Sequence, residues 1–460
     1  MFEERNKNFF KRRDLNDDRQ EFAVSLRKKK RHNLANQKRV QLIYQELSPT
    51  PNTSDLEITI DILDQATNGI EKLNLWNGIR NTVAALKFTL PNSIFEKLIS
   101  AISNHLNFKY SSEILECVTC ILCNITCLPD EILCNLNLEI LIPSLLLLFK
   151  SQSLKVQENS IWSISNLFAT NFPSLHTTIL ELKFWKRLRK ITYDPELFPI
   201  ISWSSRNCSC LIEYQTENTC KQITEICSII LNHPDQSDET LSHTLSSLSH
   251  VARFGATGIE YLYSSQAINH VLKLFSIFPS ASLKIVGYIL LKQPKHAVDL
   301  IEHNLLNELY EVIGRPEVMI KVKTWWVLDN LCKTGSFAMY QLVKHPIFIE
   351  SLEIPLGINT EGKFAWINYV KSLLNRNSDE FKEGILTEKL LNTVLIVSED
   401  LDLRVKVRCC SVFWVFYDVW GKEKFFMSEA GCLAKDLMED DKVNVEVFDE
   451  DVMMVTDEDC

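Results

Sequence analysis

The sequence predicts an all-α solenoid built from stacked helical repeats. Three observations predict it. A pattern centred on residues 157–170 recurs down the chain at a near-constant interval. Helix-type apolar periodicity runs through most of the length, and no block of strand alternation interrupts it. Glycine is scarce, at 12 residues in 460. With 46% hydrophobic residues the chain can bury a large core. Length alone would suggest two or three globular domains, but a solenoid relaxes that count because each repeat buries its core against its neighbours.

Residues 157–170 read QENSIWSISNLFAT. As a helix this stretch has two faces. Ile161, Ile164 and Leu167 or Phe168 form an apolar stripe. Glu158, Trp162 and Asn166 follow at i, i+4, i+8 and form a second stripe. Trp162 alone would read as one more core residue, but the pattern returns. Trp203 and Asn207 stand in ISWSSRNCSCL, Trp326 and Asn330 in KTWWVLDNLCKTG, and Cys120 and Asn124 in ECVTCILCNIT. Weaker copies hold Thr244 and Leu248, Lys284 and Tyr288, and Trp366 and Val370. The first anchors lie at 120, 162, 203, 244, 284, 326 and 366, at intervals of 42, 41, 41, 40, 42 and 40. A period of about 40–47 residues belongs to armadillo and HEAT arrays of helices.

Taken in order, the chain opens with a basic arm over residues 1–47. Its clusters are Lys11-Arg12-Arg13, then Arg27, Lys28, Lys29, Lys30 and Arg31, then Lys38 and Arg39. Phe22, Leu26 and Leu34 give only a thin apolar seam, so the arm is expected to be disordered alone and helical against an acidic surface. A linker rich in Pro, Ser and Thr follows over residues 48–57. Repeats, about eight of them, are expected over residues 58–428, punctuated by prolines such as Pro91, Pro129, Pro173 and Pro279. Residues 429–460 form a C-terminal segment ending in an acidic tail.

The net charge of −10 hides an asymmetry. Residues 1–40 carry 13 Lys+Arg against 6 Asp+Glu, leaving a net −17 on the rest, and residues 436–460 hold 11 acidic residues. An acidic body repels phosphate, so nucleic acid is not the expected ligand; a basic partner is. No run of about 18 apolar residues offers a membrane span. The 14 cysteines lack zinc-ligand spacing and read as reduced core thiols. No paired carboxylates, phosphate loop or catalytic triad appears, so neither an enzyme nor a cofactor or metal site is expected.

A basic arm, a linker, repeats carrying Trp-x-x-x-Asn and an acidic tail together resemble the importin-α family of nuclear import adaptors. SLRKKKRHNLANQKRV resembles that family's importin-β-binding arm, and IWSISNL and ISWSSRNCSCL resemble its ligand-binding helices. The resemblance implies an armadillo-repeat, right-handed superhelical solenoid that shuttles between cytoplasm and nucleus. It implies cargo proteins with basic nuclear localisation signals and importin-β as partners, and an export receptor at the C-terminal repeats. It assigns Asn124, Glu158, Trp162, Asn166, Trp203 and Asn207 to a major signal-binding site. Lys284, Trp326, Asn330 and Trp366 fall to a minor one. Arg27, Lys28, Lys29, Lys30 and Arg31 would bind importin-β, and Lys38 and Arg39 would act as an autoinhibitory signal carried in cis. The chain departs from the family at Cys120, where a Trp is expected, at Thr170, where the main lysine pocket has an Asp, and at Val370, where an Asn is expected.

The residues support the same chemistry without the resemblance. Helices of adjacent repeats stack about 8–10 Å apart, so an extended peptide rising about 3.3 Å per residue offers about three residues per repeat. An Asn side chain can donate to and accept from such a backbone. Two indoles are expected to wall the aliphatic stem of a Lys or Arg between them and attract its charge. The alternative is an armadillo-type interaction scaffold with no part in nuclear import.

Overall fold

The structure is a computed structural model and describes residues 53–439 except 64, 86–89, 212–214, 355–356, 376–381 and 383. Every regular element among the described residues is a helix. The fold is an all-α repeat solenoid, as the period predicts. The basic clusters of the arm, including Arg27 to Arg31, Lys38 and Arg39, and the acidic residues beyond 439 lie outside the described residues.

The helical body extends beyond both ends of the span read as repeats. The first helix, Thr53–Leu63, starts inside the segment read as linker, because Leu56, Ile60 and Leu63 give it a buried face at helical spacing. The last, Glu429–Glu439, buries Ala430, Ala434 and Met438.

The described chain divides into two compact units, one ending at Ser247 and one starting at Leu248. In the N-terminal unit the long final helices of successive repeats, Ser112–Ile125, Leu154–Phe168 and Phe198–Ser209, pack on one another in chain order. Shorter helices lead into the second and third: Asp130–Leu133 and Ile142–Leu148 precede Leu154–Phe168, and Pro173–Glu181 and Phe184–Ile191 precede Phe198–Ser209. The C-terminal unit repeats the plan with Pro279–Lys292, Val318–Cys332, Thr360–Asn375 and Leu403–Trp420.

Local chemistry sets the helix ends. Pro91 and Pro129 stand just before helices and Pro173 and Pro279 at their first turn, where a missing N–H costs nothing. Ser153 Oγ accepts from Val156 N, and Thr216 with Thr219 forms a reciprocal capping box. Gly255 and Gly335 follow the long helices of their repeats with φ of 133° and 138°, a region essentially reserved for glycine. Lys183, Gln266 and Asn304 share a second device: each takes a left-handed conformation immediately before a middle helix, at Phe184, Ala267 and Leu305. Along Leu154–Phe168, Ile161, Ile164 and Leu167 are fully buried, each such side chain contributing about 1.5–3 kcal/mol of transfer free energy. Ser160, Ser163 and Ser165 adjoin them in sequence and return their hydroxyls to the carbonyls of Val156, Asn159 and Ile161.

Candidate functional site

The second stripe of Leu154–Phe168 sits where the sequence places it. Trp162 and Glu158 are half-buried on the helix flank, and Asn166, one turn past Trp162, is 4% exposed. Asn166 binds back to the preceding repeat. Its Nδ2 donates to Thr126 Oγ1 at 3.2 Å and to Cys127 Sγ at 3.1 Å, while its Oδ1 is buried with no hydrogen-bond partner among the described residues. Asn159 reaches the same way to Thr119 Oγ1 at 3.3 Å. On Phe198–Ser209, Trp203 and Asn207 are half-buried, and the Asn207 Nδ2 likewise lacks a partner among the described residues. Asn124 is half-buried on Ser112–Ile125. Two buried amide atoms, one acceptor and one donor, therefore stand without a partner among the described residues on successive repeats, at a cost in stability.

The two indoles are not walls with a gap between them. The ring centroids of Trp162 and Trp203 lie 5.4 Å apart with planes tilted at 53°. An aliphatic stem seated between two rings needs about 7–8 Å, twice the carbon–carbon contact distance. The cause lies one turn away: Ser165 Oγ meets Ser204 Oγ at 2.5 Å, so two small side chains let the helices approach until the indoles touch. The pair presents one continuous aromatic surface, and a Lys or Arg stem would lie across it.

The charges are modest. Glu158 bonds Lys155 at 3.0 Å, and Glu116, at the equivalent place one repeat earlier, accepts from Ser153 Oγ at 2.7 Å. Thr170 is buried and turns its hydroxyl to Leu167 O, so it provides no polar pocket. The half-buried Arg206, beside Asn207, adds a cation the sequence reading passed over; the Arg-Asn pair in ISWSSRNCSCL marked it. Burial, with the Arg206 charge second, pushes His243 down to about 4, so this imidazole is neutral at pH 7.

In the C-terminal unit the same spelling gives the opposite environment. Trp326, Asn330 and Trp366 are 3%, 2% and 0% exposed. The Trp326 ring occupies the space a side chain at Gly287 would need and meets Tyr288 edge-on at 5.3 Å. Asn330 Nδ2 donates to Gly287 O at 3.2 Å. Lys284 is 8% exposed, and Lys323, 2% exposed, donates to Ser280 Oγ at 2.6 Å. Lys363 pairs with Asp400 at 3.1 Å. The residues assigned to a minor site are thus core and inter-repeat residues here, presenting no open indole face. Gly287, which seats Trp326, escaped the sequence reading although it adjoins the Tyr288 anchor.

None of the described cysteines forms a disulfide; Cys134 and Cys432 are exposed rather than core, and burial raises Cys220 to about 12 and pushes Cys227 up as well. Among the described residues no group of three His, Cys, Asp or Glu is placed to hold a metal, and no helix is long and apolar enough to cross a membrane.

No protein-family model matches the chain, and no curated protein does. Solved structures do. An engineered protein aligns with a TM-score of 0.65 at 14% identity, over 84% of this chain and 99% of its own. SYS-1 aligns with a TM-score of 0.54 at 11% identity, over 79% of this chain and 76% of its own. At such identities the likeness extends to the fold alone.

Proposed function

We propose that the N-terminal unit binds an extended basic peptide along Asn124, Asn166 and Asn207, with Lys or Arg stems lying across the Trp162–Trp203 surface, and that the chain is a nuclear import adaptor of the importin-α type. The observation that carries this reading is the touching pair of half-buried indoles, Trp162 and Trp203, on adjacent helices of one unit, each with an Asn one turn further along its helix. Glu116 and Glu158 supply local negative charge, and the acidic body supplies more at long range. The basic arm, at residues 1–47, fits a role as the importin-β contact and, through Lys38 and Arg39, as a cis competitor for the groove. An export receptor at the C-terminal repeats completes the proposed shuttling cycle.

Fluorescence anisotropy tests it. A lysine-rich signal peptide should bind the full chain, and importin-β should tighten that binding by drawing the arm away. An affinity indifferent both to importin-β and to replacing the peptide's lysines with glutamines would exclude the adaptor role.

A second reading has its own support. The indoles touch, Glu158 is engaged by Lys155, and the half-buried Arg206 precedes Asn207 on the same helix. These features suit a scaffold that holds a less cationic extended segment. In that case the glutamine-substituted peptide would bind as well as the lysine-rich one.

A further inference from the structure

Another part of the N-terminal unit carries charge of the opposite sign from the body. A cavity of about 270 Å³ opens between the end of helix Ile142–Leu148 and helix Phe184–Ile191, on residues outside the Trp–Asn row. Lys150, Lys183, Lys186, Arg187 and Lys190 line it over a floor that includes the buried Phe149, and no carboxylate lines it. Lys150, Lys183, Lys186 and Lys190 are exposed. Their ammonium groups have no hydrogen-bond or ion-pair partner among the described residues, and Arg187 uses only its Nε, donating to Leu182 O at 3.0 Å. Arg189, on the same helix but outside the cavity, is paired with Glu225. Carboxylates are therefore within reach of this helix yet absent from its cavity face. Five cations gathered without a counter-charge repel one another, in a chain whose body is otherwise acidic.

We propose that this cavity is a binding site for a compact polyphosphate, a ligand that brings two or three phosphate groups together. Charge density decides the class. Side chains on one face of an extended acidic peptide recur only every second residue, about 6.6 Å apart, so few carboxylates enter so small a space. A nucleic-acid backbone brings one charge per phosphate and a bulky nucleoside with it. A terminal phosphate group carries about −1.5 to −2 and three acceptor oxygens, so two or three of them match five cations. Lysines serve as point charges for such groups, and the free guanidinium nitrogens of Arg187 can fork onto one of them. Phosphoinositide headgroups and soluble inositol polyphosphates share this chemistry.

The test uses the full chain at physiological salt, beside a variant with Lys183→Asn, Lys186→Gln and Lys190→Gln. Asn tolerates the left-handed backbone at position 183, and all three residues are exposed, so the variant keeps the fold. Inositol hexakisphosphate and inorganic triphosphate are titrated by calorimetry, and vesicles with and without phosphatidylinositol bisphosphate are tested by flotation. The variant should bind both soluble probes about tenfold or more weakly, each lost charge-assisted contact being of the order of a tenfold step. Without ligand it should melt at a higher temperature than the parent, because like charges have been removed. The probe should also protect Lys186 and Lys190 from acetylation, a readout the basic arm cannot mimic, while leaving Lys389 reactive. Flotation only with the phosphoinositide assigns the site to a membrane headgroup; binding of soluble probes without flotation assigns it to a free polyphosphate. Equal affinity of parent and variant, or no protection of Lys186 and Lys190, overturns the proposal. Tighter binding of an acidic peptide or a single-stranded oligonucleotide than of either polyphosphate overturns it as well.

Discussion

Trp162 in the N-terminal unit and Trp326 in the C-terminal unit hold the same place in their repeats, each four residues before an Asn on a long final helix. Trp162 stays half-exposed against Trp203, because the neighbouring helix offers another indole and a serine–serine contact. Trp326 is buried, because the preceding helix offers Gly287, a vacancy the size of a ring, with Tyr288 beside it. The amides follow suit: Asn166 keeps one atom unsatisfied, while Asn330 closes onto Gly287 O. Whether an indole stays half-exposed or is buried thus depends on the residue that faces it on the adjacent helix.

The sharpest way to break this comparison is to delete the indoles. Trp326→Ala or Trp366→Ala should cost about 3–5 kcal/mol, the range for emptying a buried aromatic site, measured by urea unfolding of the C-terminal unit's transition. Trp162→Ala should cost far less. Comparable losses for Trp162 and Trp326 would erase the distinction between the two faces.

Below that in size stands Gly287→Ala. A methyl there would lie 2.1 Å from the Trp326 ring, so the ring or the helix must shift, at about 1–3 kcal/mol. Unaltered stability would show that Trp326 is held loosely. Function gives the converse test. Trp162→Ala combined with Trp203→Ala should weaken a basic peptide by about 1–2 kcal/mol per indole with the fold intact, measured by anisotropy. Unchanged affinity would move peptide binding away from this row.

His243 sharpens the picture through pH. Its folded value of about 4 lies below the ordinary 6.5, so the unfolded chain binds the proton first. Stability from this group is complete above about pH 6.5 and declines as pH falls toward 4, by at most about 1.4 kcal/mol per unit. His243→Gln should flatten that part of the acid limb, and parallel limbs for parent and variant would contradict it. The smallest expected effect is Lys155→Ala. Freeing the Glu158 carboxylate should tighten a basic peptide by about 0.5 kcal/mol, the scale of an exposed ion pair, and weaker binding would mean that Lys155 itself contacts the ligand.

Much of this was legible in the sequence. The interval between anchors gave the repeat, and the i, i+4 spacing puts Trp162 with Asn166 and Trp203 with Asn207 one turn apart on their helices. The spacing fixes an angle around a helix but says nothing of how closely the next helix approaches. IWSISNL and KTWWVLDNL therefore read alike, although the first meets Trp203 across a serine contact and the second fills the space above Gly287. The touching indoles depend on Ser165 and Ser204, residues that carry no signal of their own. The lysines of Phe184–Ile191 were plain as letters. That no carboxylate shares their cavity is a property of the fold.

The fit of Trp326 over Gly287 has a consequence for how freely these repeats can be exchanged. Solenoid repeats are often treated as interchangeable bricks whose stabilities add through similar interfaces. Here the bricks are keyed. A copy of the Val318–Cys332 repeat placed after Leu154–Phe168 would bring its indole against Trp162 and its neighbours rather than against a glycine. The Pro279–Lys292 repeat, followed by one lacking the Trp, would be left with a hole. Chimeras that keep 287 and 326 together should assemble, and those that separate them should not, so the order of the repeats in this unit is itself written into a single missing side chain.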